Sequence, residues 1–224
     1  MLLIDLDSQA SASLWCGVTR PRLEPSAADC LLHNYPVSRA IRRTRTNNLD
    51  LVTGSIQLAN ADLALCDVPG RELVLRRMLD GPRLTYDIVL LDCPPSLSLV
   101  GVNALMAADA VIVPVTAQHL AIEGLVSLLA TVDHVRTRLK AQARVIGILL
   151  TMSGSSAVAR SARQRVRARY RDRVYESEIA VSRALEEAPA AGHTIFEHAP
   201  KSPSADAFRA VAAETLDRLR QLES

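Results

Sequence analysis

Six short aliphatic runs, at residues 2–5, 49–53, 88–92, 110–115, 145–151 and 173–176, alternate with helix-length segments at 71–79, 98–107, 122–139, 156–170 and 204–222. A strand that feeds a helix, which returns to another strand, builds an α/β domain around a parallel sheet. Residues 88–91 (Ile-Val-Leu-Leu) and 111–113 (Val-Ile-Val) are apolar on both faces, as strands covered by helices on each side must be. Residues 17–48, with Pro21, Pro25 and Pro36, read as loop and short helices, and 188–203 as a mostly irregular segment. A chain of 224 residues, 49% hydrophobic, has ample material for one core, and 1–224 reads as a single domain. That apolar content excludes disorder, and no window reaches the ~18 uninterrupted apolar residues of a membrane span. Asp5 interrupts the apolar start, so no secretory signal is expected. Cys16, Cys30, Cys66 and Cys93 lack metal-ligand or paired spacing, which fits a reducing, cytoplasmic compartment.

Ligands of parallel α/β sheets bind at the carboxyl ends of strands, so residues just past a strand are the first candidates for chemistry. Two predicted strands end in acid: Leu3-Ile4-Asp5-Leu6-Asp7-Ser8-Gln9, and Leu90-Leu91-Asp92-Cys93-Pro94-Pro95-Ser96. A strand-tip carboxylate can hold Mg²⁺ directly or through water, or orient an attacking water. It can equally cap the next helix, and either motif alone leaves the two roles open.

In this order the motifs resemble the ParA/MinD group of P-loop ATPases, and within it the ParA (Soj-like) partition proteins. The first run matches the family's second nucleotide motif, usually ending Asp-Pro-Gln, with Ser8 in place of proline. The stretch 86–125 matches its Walker B region and the segment C-terminal to it, through Asn103-Ala104-Leu105, Ala107-Ala108-Asp109, Val113-Pro114-Val115 and Glu123-Gly124-Leu125. Gly147-Ile148-Leu149-Leu150-Thr151-Met152, Glu187-Ala188-Pro189 and Gly192 extend the match over essentially the whole chain. The resemblance implies a three-layer, mostly parallel P-loop NTPase fold that binds ATP and Mg²⁺. Asp7 would position the attacking water, Asp5 would support the magnesium-bound phosphate end, and Asp92 would hold Mg²⁺ through water. Thr151 and Met152 would line the adenine pocket. It further implies a cytoplasmic, nucleoid-associated homodimer, with no membrane anchor, that binds DNA nonspecifically and answers to a ParB-like partner.

This sequence departs from the family pattern in several places. Ile179-Ala180-Val181 stands where Ile-Pro-Arg is usual, Gln118 where glutamate is usual, and Pro203 where a basic residue is frequent. The largest departure concerns phosphate. The family grips it with a glycine-rich loop ending Gly-Lys-Thr, whose backbone N–H groups cradle the phosphates. Among 26 basic residues only Lys140 and Lys201 are lysine, neither in such a loop, so the fold is expected to be incomplete at its amino end. This leaves two readings: Met1 is a late start inside a longer reading frame, or the chain is a true short form, an ATPase-inactive DNA-binding or interaction protein. The first is favoured, because Met1 stands where the family has valine and the missing strand is central in its sheet.

Residues 158–173 carry seven arginines and one acid, Asp172. At helical spacing Val158, Ala162, Val166 and Tyr170 make an apolar stripe. Arg160, Arg163, Arg167 and Arg171 line one flank, and Arg165, Arg169 and Arg173 the other. So concentrated a positive surface attracts a phosphate backbone without reading sequence; a merely solvated face is the alternative. Arg183, Lys201 and Arg209 are candidates to extend it. His193 and His198, with no third ligand, read as surface residues. The last helix, with Phe208, Val211, Thr215 and Leu219 at helical spacing, reads as core-packed, because Glu214 and Asp217 oppose a membrane role.

Overall fold

The computed structural model describes residues 1–82, 85–95, 98–116 and 119–223, and the side chains of all of these but 119–123 and 223. The chain forms two compact units, Met1–Ala108 and Asp109–Ser224.

The first unit is built around β1 (Leu2–Asp5), whose Leu2 and Ile4 are fully buried. Helices α1 (Ser11–Trp15), α2 (Ala27–His33) and α3 (Val37–Ala40) come after it, then β2 (Arg42–Arg43) and β3 (Asp50–Val52). Next come α4 (Ala61–Ala64), α5 (Val74–Met78), β4 (Val89–Asp92) and α6 (Leu99–Ala107). The strands lie in the order β2-β3-β1-β4, and only β2 runs antiparallel to its neighbour. A reciprocal capping box of Ser26 and Asp29 starts α2. Asn103, 1% exposed, ties α6 to the preceding segment: it accepts from Leu75 N and donates to the Arg71 and Leu99 carbonyls. Among the described residues β4 pairs only with β1, and its Leu90 remains 47% exposed.

The second unit pairs β5 (Ala110–Thr116) in parallel with β6 (Arg144–Thr151) across the long helix α7 (His119–Leu139). Helices α8 (Ala157–Tyr170), α9 (Arg183–Ala190), α10 (Ile195–His198) and α11 (Pro203–Glu223) complete it. Pro203 opens α11, where its missing N–H costs nothing. α11 packs inward as expected at Val211, which is buried, and at Thr215, which meets the Tyr175 hydroxyl at 3.1 Å, with the Arg218 guanidinium 4.5 Å from the Tyr175 ring. Phe208, also expected in the core, is instead 37% exposed. No helix among the described residues is long and apolar enough to cross a membrane.

The mostly parallel α/β fold is as the sequence predicts, with four local differences. Residues 173–176 do not form a strand. They meet β6 through an isolated Ile148–Val174 bridge, with Tyr175 N donating to the Ile148 carbonyl, while the Tyr175 carbonyl that would continue a ladder accepts from Arg167. The 188–203 segment is more helical than expected, since α9 runs through Pro189 and a Thr194–Glu197 capping box sets α10. The short β2 falls inside the stretch expected to hold only loop and short helices. In α8 the buried positions are Ala159, Ala162 and Val166, while Val158 is 66% exposed. Ser156 caps α8 through Ala159 N, and the buried stripe enters the first turn at Ala159 rather than at Val158.

Candidate functional site

In the first unit the two acid-ended strands are neighbours in register, with Asp5 opposite Asp92. The Leu6 N–H donates to the Asp92 carbonyl at 2.8 Å, extending the ladder past both strand ends. Asp5 is fully buried and fully engaged. Its Oδ1 accepts from Asp7 N at 3.1 Å, and its Oδ2 accepts from the Ser13 amide at 2.9 Å and the Ser13 hydroxyl at 2.6 Å. With these donors the carboxylate fastens the loop from Leu6 to Ala12 over the strand tip. Ser13 Oγ in turn accepts from the Gly54 amide at 3.0 Å, linking the end of β3 to the same knot. Gly54 is required by space: a Cβ there would lie 2.6 Å from the Asp7 carbonyl oxygen and 2.8 Å from Asp5 Oδ1.

Asp7, half-exposed, accepts from the Gln9 amide at 3.1 Å and keeps its second oxygen available. Asp92 is exposed on one side. Partial burial, with the negative charges of Asp5 and Asp7, nonetheless pushes its carboxyl up to about 6. Three carboxylates at one edge are electrostatically incomplete, which suits a cation. Among the described residues no cluster of three or more acidic, histidine or cysteine side chains could hold a metal by itself. Mg²⁺, which keeps several waters and takes one or two carboxylates beside phosphate, suits this donor chemistry; a fully protein-ligated metal does not. Burial of its sulfur and the charge of Asp92 push the Cys93 thiol up to about 12, away from the reactive thiolate form. Beside the tips a cleft of about 430 Å³ is lined by Leu6, Ser8, Leu58, Asp62, Pro94 and Ser98, and Asp62 accepts from Leu99 N to cap α6.

In the second unit Thr151 ends β6 half-exposed. Met152 comes next with φ +49° and 64% exposure, so its side chain is free at the surface. Segment 179–181 runs beside it: Ile179 N donates to the Leu150 carbonyl, Ser153 N to the Ile179 carbonyl and Val181 N to the Ser153 carbonyl. Ser96 and Gln118 lie outside the described residues, as does the Glu123 side chain.

α8 ends at Tyr170, so Arg171, at φ +46°, and Arg173 fall in the short turn after it and off the two helical flanks expected from the sequence. The arginines of α8 and of that turn divide into two sets. Arg163 NH1 meets Glu178 Oε1 at 3.3 Å. Arg167 donates to the Tyr175 and Glu176 carbonyls and approaches Glu178 Oε2 at 3.6 Å. Arg160 turns back to the Ser155 carbonyl. The side chains of Arg165, Arg171 and Arg173 are exposed and have no partner among the described residues, while Arg169 lies 5.7 Å from the Tyr170 ring centroid. Further along, Arg183 pairs with Glu187, Arg209 with Asp206, and Lys201 is exposed. The sequence pointed to Asp5, Asp7 and Asp92 but gave no sign of Ser13 or Gly54, whose roles arise from contacts distant along the chain.

Residues 1–145 match a family model described as an AAA domain. The chain is 35% identical over 215 residues to the sporulation initiation inhibitor protein Soj of Bacillus subtilis, covering 96% of this chain and 85% of that protein. It is 37% identical over 227 residues to the chromosome-partitioning ATPase Soj of Thermus thermophilus, covering 99% and 85%. Among solved structures, cobyrinic acid a,c-diamide synthase from Mycobacterium smegmatis, with bound ADP and magnesium, matches at 32% identity and a TM-score of 0.75, over 85% of this chain and 78% of that one. A putative plasmid partition protein of Borrelia burgdorferi bound to AMPPNP shares the fold, with a TM-score of 0.81 at 21% identity over 97% and 86% of the two chains. The chain belongs to the ParA (Soj) family of partition ATPases.

Proposed function

We propose that the chain is a DNA partition protein that holds nonspecific duplex DNA through α8 and couples that hold to an ATP–Mg²⁺ site at the strand tips. The observation that carries the DNA reading is the outward set Arg165, Arg171 and Arg173: exposed cations with no partner among the described residues. Unpaired arginine is available to phosphate at no cost in broken ion pairs. Arg160, Arg163 and Arg167 belong to the same surface but hold contacts within the chain, and Arg183 and Lys201 extend it.

At the strand tips, Asp7 would orient an attacking water and Asp92 would hold Mg²⁺, on the strength of the family pattern and of their adjacent strand ends. Asp5, sealed from solvent by Ser13, acts as a positioning residue that sets Asp7. Bound ATP and Mg²⁺ supply the transferable phosphoryl group and the charge that neutralises it. Thr151 and Met152 carry the adenine side in this reading, on the strength of the family pattern. Residues 1–224 contain no Gly-Lys-Ser/Thr loop, so the phosphate cradle has to be supplied from outside this sequence before hydrolysis occurs. A nucleotide-bridged homodimer, a ParB-like partner that stimulates hydrolysis, and a cytoplasmic, nucleoid-associated location complete the proposal. The second reading, an ATPase-inactive DNA-binding or interaction protein, is favoured by that same missing loop.

The DNA reading is tested by titrating random duplex DNA with the chain and with an Arg165→Ala/Arg171→Ala/Arg173→Ala variant across a salt series. Loss of three phosphate contacts reduces the slope of log K against log salt by about 2–3. Unchanged affinity and slope refute it. The two functional readings separate on ATP turnover by the 224-residue chain, expected to be absent, and by a form carrying a Gly-Lys-Thr loop segment, expected to hydrolyse.

A further inference from the structure

We propose that Glu178 is an internal competitor of DNA phosphate for the arginines of α8, and that Arg163 is the DNA contact it withholds. The proposal rests on the DNA reading above. Each oxygen of the Glu178 carboxylate faces a different arginine one helical turn apart, Oε1 toward Arg163 and Oε2 toward Arg167. This is the fork a phosphate group would present to the same pair. The two arginines are not held alike. Arg167 keeps the Tyr175 and Glu176 carbonyls whether or not Glu178 stays, so it remains anchored as part of the fold. Arg163 has Glu178 as its one partner among the described residues. Freed from it, Arg163 adds a cation to the face of α8 that carries Arg160 one turn earlier.

The clamp is weak enough to yield. The Glu178 side chain is 33% exposed and Arg163 22%, so water screens their attraction, and a polyanion that releases counterions on binding displaces it. Glu178 directly precedes Ile179, whose backbone is pinned to Leu150 and Ser153, so the carboxylate is held in place from its own backbone and yields Arg163 by exchange at the side chain alone.

The test compares random-duplex binding over a salt series for wild type, Glu178→Gln, Glu176→Gln and Glu178→Gln/Arg163→Gln, with a thermal melt of each. Glu176 is exposed and its carboxylate has no ion pair among the described residues, so Glu176→Gln measures the effect of simply removing a negative charge. Glu178→Gln is expected to bind about three- to fivefold more tightly than wild type, with a salt slope steeper by about one. Glu176→Gln is expected to gain less, and the Arg163→Gln double variant to lose the gain. A Glu178→Gln gain no larger than that of Glu176→Gln, or one that survives without Arg163, overturns the clamp. If that happens while Arg165, Arg171 and Arg173 still govern affinity, the DNA reading stands and only the clamp falls. If no variant binds DNA, both fall.

Discussion

The strand-tip acids of residues 1–108 and the arginine helix of residues 109–224 are built on opposite plans. Asp5 is fully buried, with three donors, in a knot that also fixes Ser13 and Gly54; nothing in it can move without breaking hydrogen bonds. The arginines of α8 lie at the surface, some tied to one carboxylate and backbone carbonyls, the others tied to nothing among the described residues. Water and phosphate chemistry needs geometry held to fractions of an ångström, which burial supplies. Sequence-independent grip on a polyanion needs charge density and tolerance of many registers, which exposure supplies. The expected consequence is that substitutions in the knot cost stability, whereas substitutions on the outer face of α8 cost binding alone.

The largest effect is expected at Gly54. Gly54→Ala forces a methyl against the Asp7 carbonyl and Asp5 Oδ1, and should destabilise the chain by about 3 kcal/mol in chemical denaturation. A loss below about 0.5 kcal/mol means that the knot is not tight. In the second unit Val166, 1% exposed, is the largest of the buried side chains of α8, and Val166→Ala should cost about 2 kcal/mol.

A smaller effect, of opposite sign, is expected at Asp92. The folded chain keeps its proton up to about pH 6, against 3.8 for an unperturbed aspartate. The folded state thus binds more protons than the unfolded one between those values, and stability falls as pH rises through that window. Asp92→Asn should flatten that part of the pH–stability curve and raise the unfolding free energy at pH 7, by no more than about 1 kcal/mol because Asp92 is exposed, with a correspondingly higher melting point. Millimolar Mg²⁺ should do the same for the wild type. A lower melting point for Asp92→Asn contradicts the carboxylate crowding. The smallest effect belongs to Val158→Ser, within about 0.5 kcal/mol of zero in the same denaturation assay, because that side chain already faces solvent.

The two plans also differ in how far they can be read from the sequence. The aliphatic runs ending at Asp5 and Asp92 announce parallel strands with acids at their tips, because burial on both faces leaves an unbroken apolar signature. Their pairing, Asp5 beside Asp92, is a tertiary fact without local trace. Gly54 likewise looks like any glycine after a strand, since what excludes a side chain there is Asp5 and Asp7, far earlier in the chain. Residues 173–176 mislead for a related reason: Val174 and Tyr175 favour a strand locally, but the Tyr175 carbonyl accepts from Arg167, a partner eight residues earlier on α8. In α8 the charge density is legible, whereas the division into engaged and free arginines depends on where Glu178 and two carbonyls fall.

If the proposed function is right, the free arginines of α8 hold DNA more than the engaged ones do. The direct measurement is the salt-dependent affinity for random duplex DNA of an Arg165→Ala/Arg173→Ala variant beside that of Arg163→Ala. The first is expected to lower the salt slope by about two and to weaken binding at every salt concentration, while the second changes the slope by less than about one. Equal losses from the two variants, or a larger loss from Arg163→Ala, would contradict that division of the helix.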